Sequence, residues 1–395
     1  MNFRSAARAV GAAIVLTPAM LSAQSQQVLT FGNANQYTAI VKSMVSAAGN
    51  VNTDPRYQTP VSPAYNGVGS IRITSDSGTF ICTGSLLKDG VTVLTAAHCL
   101  TGGIGNVSAV SVNFYPTNAT AEVINAVSWN ANPAYSGNVI DENDIGVIRL
   151  ANAASAGVTR YDLYTGTAEN NNFEFVGFGQ RGSNGQGVNA PNGGGPNFTL
   201  ASRRKGQNLF DIALGDSRWD CPVTSQYCDQ GVNFWEYVGA APNFDHVLLT
   251  DFDNGTTGPL SNDGLCFLGA ALYPQYMSLG TSECNSGLGL NEAISGGGDS
   301  GGPGFINGQI ASVTSFGLTF GAYSAGPAFP GPYGDINGAL DSSFGEYSGF
   351  TDVAFQSQWI NSQLVATPEP GTTVLMATGL IGIVGMARRR RNKKA

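Results

Sequence analysis

The chain has 395 residues, of which 42% are apolar, so it is long enough to bury a large core and disorder is not expected. Its 53 glycines, many of them in Asn/Gly/Ser stretches, favour an all-β protein with many loops over a helical one. The formal charge is −8. Setting aside the eight Lys and Arg residues and the one Glu near the two ends leaves 11 basic and 26 acidic side chains, a net charge of −15. Such a body repels phosphate backbones, which argues against nucleic-acid binding.

Residues 1–23 have the pattern of a signal peptide. Arg4 and Arg8 precede a short apolar run over residues 10–21, and residues 21–23 offer a small-residue cleavage site. We therefore predict an exported protein, in which an even number of cysteines is expected to form disulfides. The six cysteines allow fifteen pairings, of which the simplest local one joins Cys82 to Cys99, Cys221 to Cys228 and Cys266 to Cys284.

Residues 24–66 are polar and contain several prolines, which predicts a propeptide or an extended N-terminal arm. From Gly67 onward, short β-branched runs alternate with turn signals, which indicates a barrel or a sandwich. The predicted strands are Val68–Thr74, Thr79–Cys82, Val91–Thr95, Ala109–Tyr115, Ile145–Leu150, Phe173–Gly177, His246–Thr250 and Gln309–Thr314. A Gly/Asn-rich loop is predicted over Ser183–Asn197, and apolar residues at helical spacing predict a C-terminal helix over Ala354–Leu364.

Two short segments carry residue types suited to nucleophilic catalysis. A serine hydroxyl attacks a carbonyl only when an imidazole removes its proton, a carboxylate orients that imidazole, and amide N–H groups face the oxyanion. His98 directly follows a predicted strand, whereas the other histidine, His246, is interpreted as structural. Ser300 has glycines on both sides, which allow a sharp turn and a close approach to a substrate.

Three segments in the order His, Asp, Ser resemble those of trypsin-like serine proteases. They are Thr95-Ala96-Ala97-His98-Cys99, the segment Asn143–Leu150 that contains Asp144, and Gly298-Asp299-Ser300-Gly301-Gly302-Pro303. This order is that of the chymotrypsin template. The resemblance covers residues 67–365 and implies an all-β fold of two six-stranded antiparallel Greek-key barrels with a short C-terminal helix.

The resemblance also implies a role for each residue of the site. Ser300 is expected to be the nucleophile, His98 the general base and then acid, Asp144 the residue that orients His98, and Gly298 and Ser300 the donors to the oxyanion. Asp299 corresponds to the residue that the family pairs with a new α-amino group after activation. Tyr57, after Arg56, lies at about the right distance from His98 for the start of a processed chain, but Gln58-Thr59-Pro60 follows it and not the family's Ile-Val-Gly-Gly. Ser315, Phe316 and Gly317 are expected to bind the substrate backbone as an added strand.

In trypsin-like proteases the residue six positions before the nucleophile lies at the bottom of the primary specificity pocket, so the resemblance implies this role for Ile294. Ile294 has no charge, so we predict a preference for uncharged residues before the scissile bond. A shift of two residues would instead bring Glu292 into the pocket and favour Lys or Arg. The resemblance therefore implies a serine endopeptidase that acts through an acyl-enzyme intermediate on protein or peptide substrates.

The C-terminal residues 366–395 resemble the PEP-CTERM sorting signal of Gram-negative bacteria. Pro368-Glu369-Pro370 is followed by a mostly apolar segment, residues 372–387, and then by Arg388–Arg391. The resemblance implies transient membrane insertion of that segment, processing by an exosortase, and a final location at the cell surface or outside the cell.

Other functions are less well supported by the sequence. The Gly-rich segment around Ser300 also fits the nucleophile elbow of α/β-hydrolases, but no histidine follows it, as that fold requires. A catalytically inactive surface-binding module on the protease fold is the remaining alternative. Asp251-Phe252-Asp253-Asn254-Gly255 resembles a calcium loop, but Asn262 stands where the twelfth-position Glu belongs, so no metal or cofactor is predicted.

Overall fold

A computed structural model describes residues 43–59, 63–101, 104–117, 120–188, 203–237, 240, 242–323 and 333–364. The predicted signal peptide, most of the Ser183–Asn197 loop and the C-terminal sorting segment lie outside these ranges. None of the helices within these ranges is long and apolar enough to cross a membrane. The structure therefore gives no support to a transmembrane helix, although the predicted segment, residues 372–387, is itself among those not described.

Six antiparallel strands of the first half close into a barrel. In β2, the buried Ile71 and Ile73 alternate with the exposed Arg72, which is the period-two pattern of a strand with one face in a core. The strand order around the barrel is β2-β3-β4-β7-β6-β5. The strands are β2 (Val68–Ser75), β3 (Gly78–Leu86), β4 (Thr92–Thr95), β5 (Val107–Thr117), β6 (Thr120–Ala131) and β7 (Gly146–Leu150).

The second half is built on a seven-stranded antiparallel sheet, in the order β10-β8-β14-β15-β18-β12-β11. These strands are β8 (Asn172–Gly177), β10 (Arg204–Leu209), β11 (Ile212–Ala213), β12 (Val247–Asp251), β14 (Pro303–Ile306), β15 (Gln309–Leu318) and β18 (Tyr347–Asp352). The all-β, trypsin-like architecture is thus confirmed. The second half differs from the expected six-stranded barrel in that its outer strands β10 and β11 do not pair with each other among the described residues.

The N-terminal segment joins the second half through a small sheet. Strand β1 (Ser43–Ser46) pairs in parallel with β9 (Gln180–Gly182) and antiparallel with β13 (Ala293–Ile294). Met44, Val51 and Tyr57 are buried in the apolar cluster of the second sheet. Residues 43–59 therefore belong to the folded body, which begins earlier than the boundary predicted at Gly67. A two-stranded ribbon, β16 (Ala322–Tyr323) and β17 (Tyr333–Gly334), completes the strands.

Three α-helices occur in the described chain: α1 (Phe234–Tyr237), α2 (Gly264–Phe267) and α3 (Val353–Gln363). The last confirms the predicted C-terminal helix. Val353 and Ile360 of α3 are buried, and the Gln356 amide donates to the Glu142 carbonyl at 2.8 Å. The helix therefore holds the segment that leads to Asp144.

All six cysteines form the three local disulfides expected from the sequence, Cys82–Cys99, Cys221–Cys228 and Cys266–Cys284. The first joins β3 to the turn after β4, with 6.4 Å between the Cα atoms. It therefore attaches the turn that carries His98 to the wall of the first barrel.

Candidate active site

His98 lies in the turn after β4, where Ala96 and Ala97 are buried and Cys99 is tied to β3. Its ring Nδ1 lies 2.7 Å from Oδ2 of Asp144. The backbone N–H of His98 donates to Oδ1 of the same carboxylate at 2.8 Å. Two contacts from one residue fix both the turn and the plane of the imidazole ring.

Asp144 precedes β7 and is 2% exposed. Besides the two contacts with His98, it accepts a hydrogen bond from the Ser315 hydroxyl. Burial raises its pKa, but the attraction of His98 and the hydrogen bonds from His98 and Ser315 outweigh it, so the pKa lies below the ordinary value. Because an ionised carboxylate only accepts hydrogen bonds, Nδ1 of His98 carries the proton and Nε2 is left as the acceptor.

Ser300 lies between β13 and β14 in a loop that docks on the first barrel. The Ser300 carbonyl accepts from the Thr83 amide, and the Gly298 carbonyl accepts from the Thr83 hydroxyl, both at 2.8 Å. Gly301 has a φ of +81°, and a Cβ there would lie 2.0 Å from the Thr95 hydroxyl oxygen. Glycine is therefore required at this position for both its backbone conformation and its space.

The amide N–H groups of Gly298 and Ser300 have no hydrogen-bond acceptor among the residues that the structure describes. Gly298 has a φ of +96°, in the region that favours glycine. Two neighbouring amides without a protein acceptor are the arrangement that binds an oxyanion.

Asp299 is buried behind this loop, and its oxygens accept from the amides of Gly179 at 2.9 Å and Gly296 at 3.2 Å. The Met44 amide also donates to it, and burial raises the pKa of Asp299 to about 7. The group of the N-terminal segment that contacts Asp299 is thus the backbone amide of Met44, which lies inside β1. Tyr57 is buried in the cluster of the second sheet and donates to the Ala48 carbonyl.

A cavity adjoins Ser300. None of the residues that line it is charged, and Leu340 and Phe316 supply its apolar surface. Ile294 is not among the lining residues, because its side chain is 1% exposed and packs with Val45 and Phe252. Glu292 is also buried elsewhere and accepts from the Leu288 amide at 2.7 Å. Neither Ile294 nor Glu292, the residue of the shifted alternative, lines this cavity.

Strand β15 carries Ser315, Phe316 and Gly317 along the same cavity. A register shift between Thr314 and Phe316 leaves Ser315 out of the pairing with β18, which turns its hydroxyl towards Asp144. Strand β14 pairs with β15 as far as Val313, and the Thr314 backbone bonds to Gly301 and Gly302. Beyond Thr314, this edge of β15 has no partner strand among the described residues.

Sequence reasoning did not find two features of the site. The Ser315 hydrogen bond to Asp144 was missed because Ser315 was assigned to substrate binding. Leu340 and Ser342 line the cavity although no sequence pattern marks their segment. The Ser342 hydroxyl donates to the Ser295 carbonyl at 3.1 Å, which connects that segment to the loop that leads to Ser300.

The closed barrel, the second sheet and the disulfide-anchored turn of His98 define a trypsin-like serine protease fold. Residues 58–198 match the family described as Trypsin, and residues 366–391 match the PEP-CTERM protein-sorting motif, so both resemblances are confirmed. The first match contains His98 and Asp144, whereas Ser300 lies beyond it.

A solved structure titled HL collagenase is 17% identical, with a TM-score of 0.45, over 78% of this chain and 96% of that one. No curated protein matches this chain.

Proposed function

We propose that this chain is an exported serine endopeptidase in which His98, Asp144 and Ser300 form the catalytic triad. The observation that carries the proposal is the buried contact of 2.7 Å between Nδ1 of His98 and the Asp144 carboxylate, made where the Ser300 loop docks on the first barrel. The ionised Asp144 holds His98 with Nε2 free to accept a proton, which is the state that a general base requires.

In this mechanism Ser300 Oγ attacks the scissile carbonyl while its proton passes to Nε2 of His98. The oxyanion of the tetrahedral intermediate is stabilised by the amides of Gly298 and Ser300. Collapse of the intermediate breaks the C–N bond, and His98 returns the proton to the leaving amine, which leaves an acyl group on Ser300. Water then attacks the acyl-enzyme with His98 again acting as base, and Ser300 regains its proton.

The substrate is a peptide in an extended conformation. Residues Ser315–Gly317 offer the free edge of β15, to which a peptide backbone adds as a further strand. The side chain before the scissile bond enters the cavity beside Ser300. Because the cavity wall is uncharged, a Lys or Arg side chain would lose its hydration there without gaining a carboxylate partner.

A cleavage profile on a mixed peptide library is the test. We expect wild-type protein to cut after uncharged, apolar or small residues, and Ser300→Ala to cut nothing. Leu340→Asp places a carboxylate in the cavity wall and should raise cutting after Lys or Arg about tenfold relative to wild type, which corresponds to ~1.4 kcal/mol.

If wild-type protein cut mainly after Lys or Arg, the assignment of the cavity beside Ser300 as the specificity pocket would be wrong. If Glu292→Gln then abolished that cutting, Glu292 would be identified as the specificity residue. Absence of cutting together with absence of fluorophosphonate labelling at Ser300 would instead favour the inactive surface-binding module.

The PEP-CTERM motif indicates export in a Gram-negative bacterium. We propose that residues 1–23 are removed as a signal peptide and that an exosortase-type enzyme removes the tail after transient membrane insertion, with delivery to the cell surface or beyond. The protease domain then ends near residue 365.

Intact-mass measurement of the exported protein should show a chain that lacks the residues beyond about Pro370. The arginine cluster 388–391 gives a convenient marker, because its peptides should occur only in the precursor. Their recovery from surface or secreted protein would contradict processing of the tail.

A further inference from the structure

A second cluster of ionisable groups lies in the second half of the molecule, outside the candidate active site. Five carboxylates lie close together. One directly precedes β11, two lie at and just after the end of β12, one directly precedes α2, and one directly precedes β13. All are buried, none being more than 5% exposed: Asp211, Asp251, Asp253, Asp263 and Glu292. None of them takes part in an ion pair within the described chain, where Lys, Arg and His pair with other acidic residues.

Backbone amides satisfy part of this cluster and hold its members in place. Asp251 accepts from the Leu265 amide at 2.8 Å, and Asp263 accepts through Oδ1 from the Cys266 amide at 2.9 Å. Both oxygens of Glu292 accept amides, those of Leu288 and Asp253. The positions of these carboxylates are therefore set by backbone amides of three separate segments.

Among the described residues, no group donates a hydrogen bond to Oδ1 of Asp253 or Oδ2 of Asp263. The Asp251 and Asp263 carboxyl groups lie within hydrogen-bond reach of each other. Asp253 is 1% exposed and Asp263 is 0% exposed, so bulk solvent does not supply the missing hydrogen bonds. A buried carboxylate oxygen without a partner is costly, and two in one acidic cluster point to a cation as the missing partner.

We propose that Asp251, Asp253 and Asp263 bind a calcium ion. Each of the three offers an oxygen, and these oxygens all lie within 4.8 Å of one another. Calcium–oxygen distances of about 2.3–2.6 Å place ligands on opposite sides of the ion about 5 Å apart, which accommodates this spread. An all-carboxylate set with no His or free Cys suits a hard cation and not zinc.

The geometry also explains why the sequence pattern failed here. The segment from Asp251 to Gly255 resembles a calcium loop, but the third carboxylate is Asp263, one residue beyond the expected twelfth position. Asp263 reaches the cluster because it caps the start of α2, so its position is set by the helix and not by a twelve-residue loop.

An ion at this place would connect strands that support the active-site loop. Asp251 pairs with Tyr347 of β18, and Glu292, whose carboxylate accepts the Asp253 amide, stands directly before β13. Ser295, which follows β13, lines the cavity beside Ser300. Calcium is therefore expected to stabilise the second half of the fold.

The test uses the full chain with Ser300→Ala, which prevents self-digestion, after treatment with EDTA. Calcium titration followed by calorimetry should show one site, and about 10 mM CaCl2 should raise the Tm by about 3–5 °C, as expected for a dissociation constant of about 0.1–1 mM. Adding Asp253→Asn or Asp263→Asn should abolish the calorimetric signal and the rise in Tm.

Asp253→Asn removes one repelling charge, so in EDTA this variant should unfold at a Tm no lower than that of its parent. Asp89→Asn is the matched control, because Asp89 is a buried carboxylate of the first barrel that is ion-paired with Arg149. It should lower the Tm and leave the calcium-induced rise intact.

The proposal is overturned if calcium produces neither calorimetric heat nor a change in Tm, or if the rise in Tm persists in both Asn variants. A rise with MgCl2 and none with CaCl2 would overturn the choice of calcium. Since every readout is binding or stability, failure here leaves the proposed peptidase function untouched.

Discussion

Replacing Ser300 with alanine is expected to lower kcat by about 10⁴-fold or more while the fold is retained. Without the hydroxyl no acyl-enzyme forms, and only substrate positioning and the oxyanion donors remain. His98→Ala should have an effect of the same order, because the hydroxyl then has no base. Both are to be measured as steady-state hydrolysis of a peptide found in the library profile.

Asp144→Asn should reduce kcat by about 10⁴-fold for a different reason. The asparagine amide donates a hydrogen bond, so it favours the imidazole tautomer with the proton on Nε2, where it cannot accept from Ser300. Combining His98→Ala with Ser300→Ala should cost little more than either alone, since the two act as one unit.

His246→Ala is the matched control for loss of an imidazole. His246 is exposed, and its ring stacks on Phe355 with a centroid distance of 3.7 Å, far in sequence from the triad segments. Activity should be unchanged in this variant. Normal peptidase activity in Ser300→Ala would show that the assignment of the nucleophile is wrong.

Removing the Cys82–Cys99 disulfide by double substitution with alanine should lower the free energy of unfolding by about 3 kcal/mol. The bond closes a loop with a sequence separation of 17, so its loss increases the entropy of the unfolded chain. Activity of the fraction that remains folded should also fall, because the turn with His98 loses its attachment to β3. Denaturant unfolding and hydrolysis rates measure the two effects.

The Cys221–Cys228 pair provides the control, with a sequence separation of 7. Its removal should destabilise by about 2.5 kcal/mol in the same chain-entropy treatment and leave the activity of folded protein unchanged. Equal losses of activity in the two double variants would contradict a specific role for Cys82–Cys99 in holding His98.

The strands that the sequence predicts correctly are those whose side-chain pattern is local. Val68–Thr74 became β2, Phe173–Gly177 became most of β8, and the predicted helix Ala354–Leu364 became α3 with a shift of one residue. Their β-branched or helical spacing reflects one buried face, which each segment shows without reference to the rest of the chain.

Strand β1 was missed for the opposite reason. It has four residues, and its partners β9 and β13 lie about 140 and 250 residues further along the chain. Met44 and Val45 show no periodic pattern, so their burial depends on what the fold brings to them. Residues 24–66 were accordingly predicted as one polar arm, although 43–59 pack into the body.

The sequence by itself determined the triad residues as candidates and the all-β class, and it made the local cysteine pairing the simplest of fifteen, because each rests on short motifs or near neighbours. Tertiary structure alone decided the wall of the cavity beside Ser300 and the acidic cluster. Ile294, found by counting back along the loop, is turned into an apolar cluster, whereas Leu340 reaches the cavity from a distant segment. Asp263 likewise joins Asp251 and Asp253 only through the start of α2. Such sites are assembled from separate segments, and their members are identified by packing and burial, which no local pattern records.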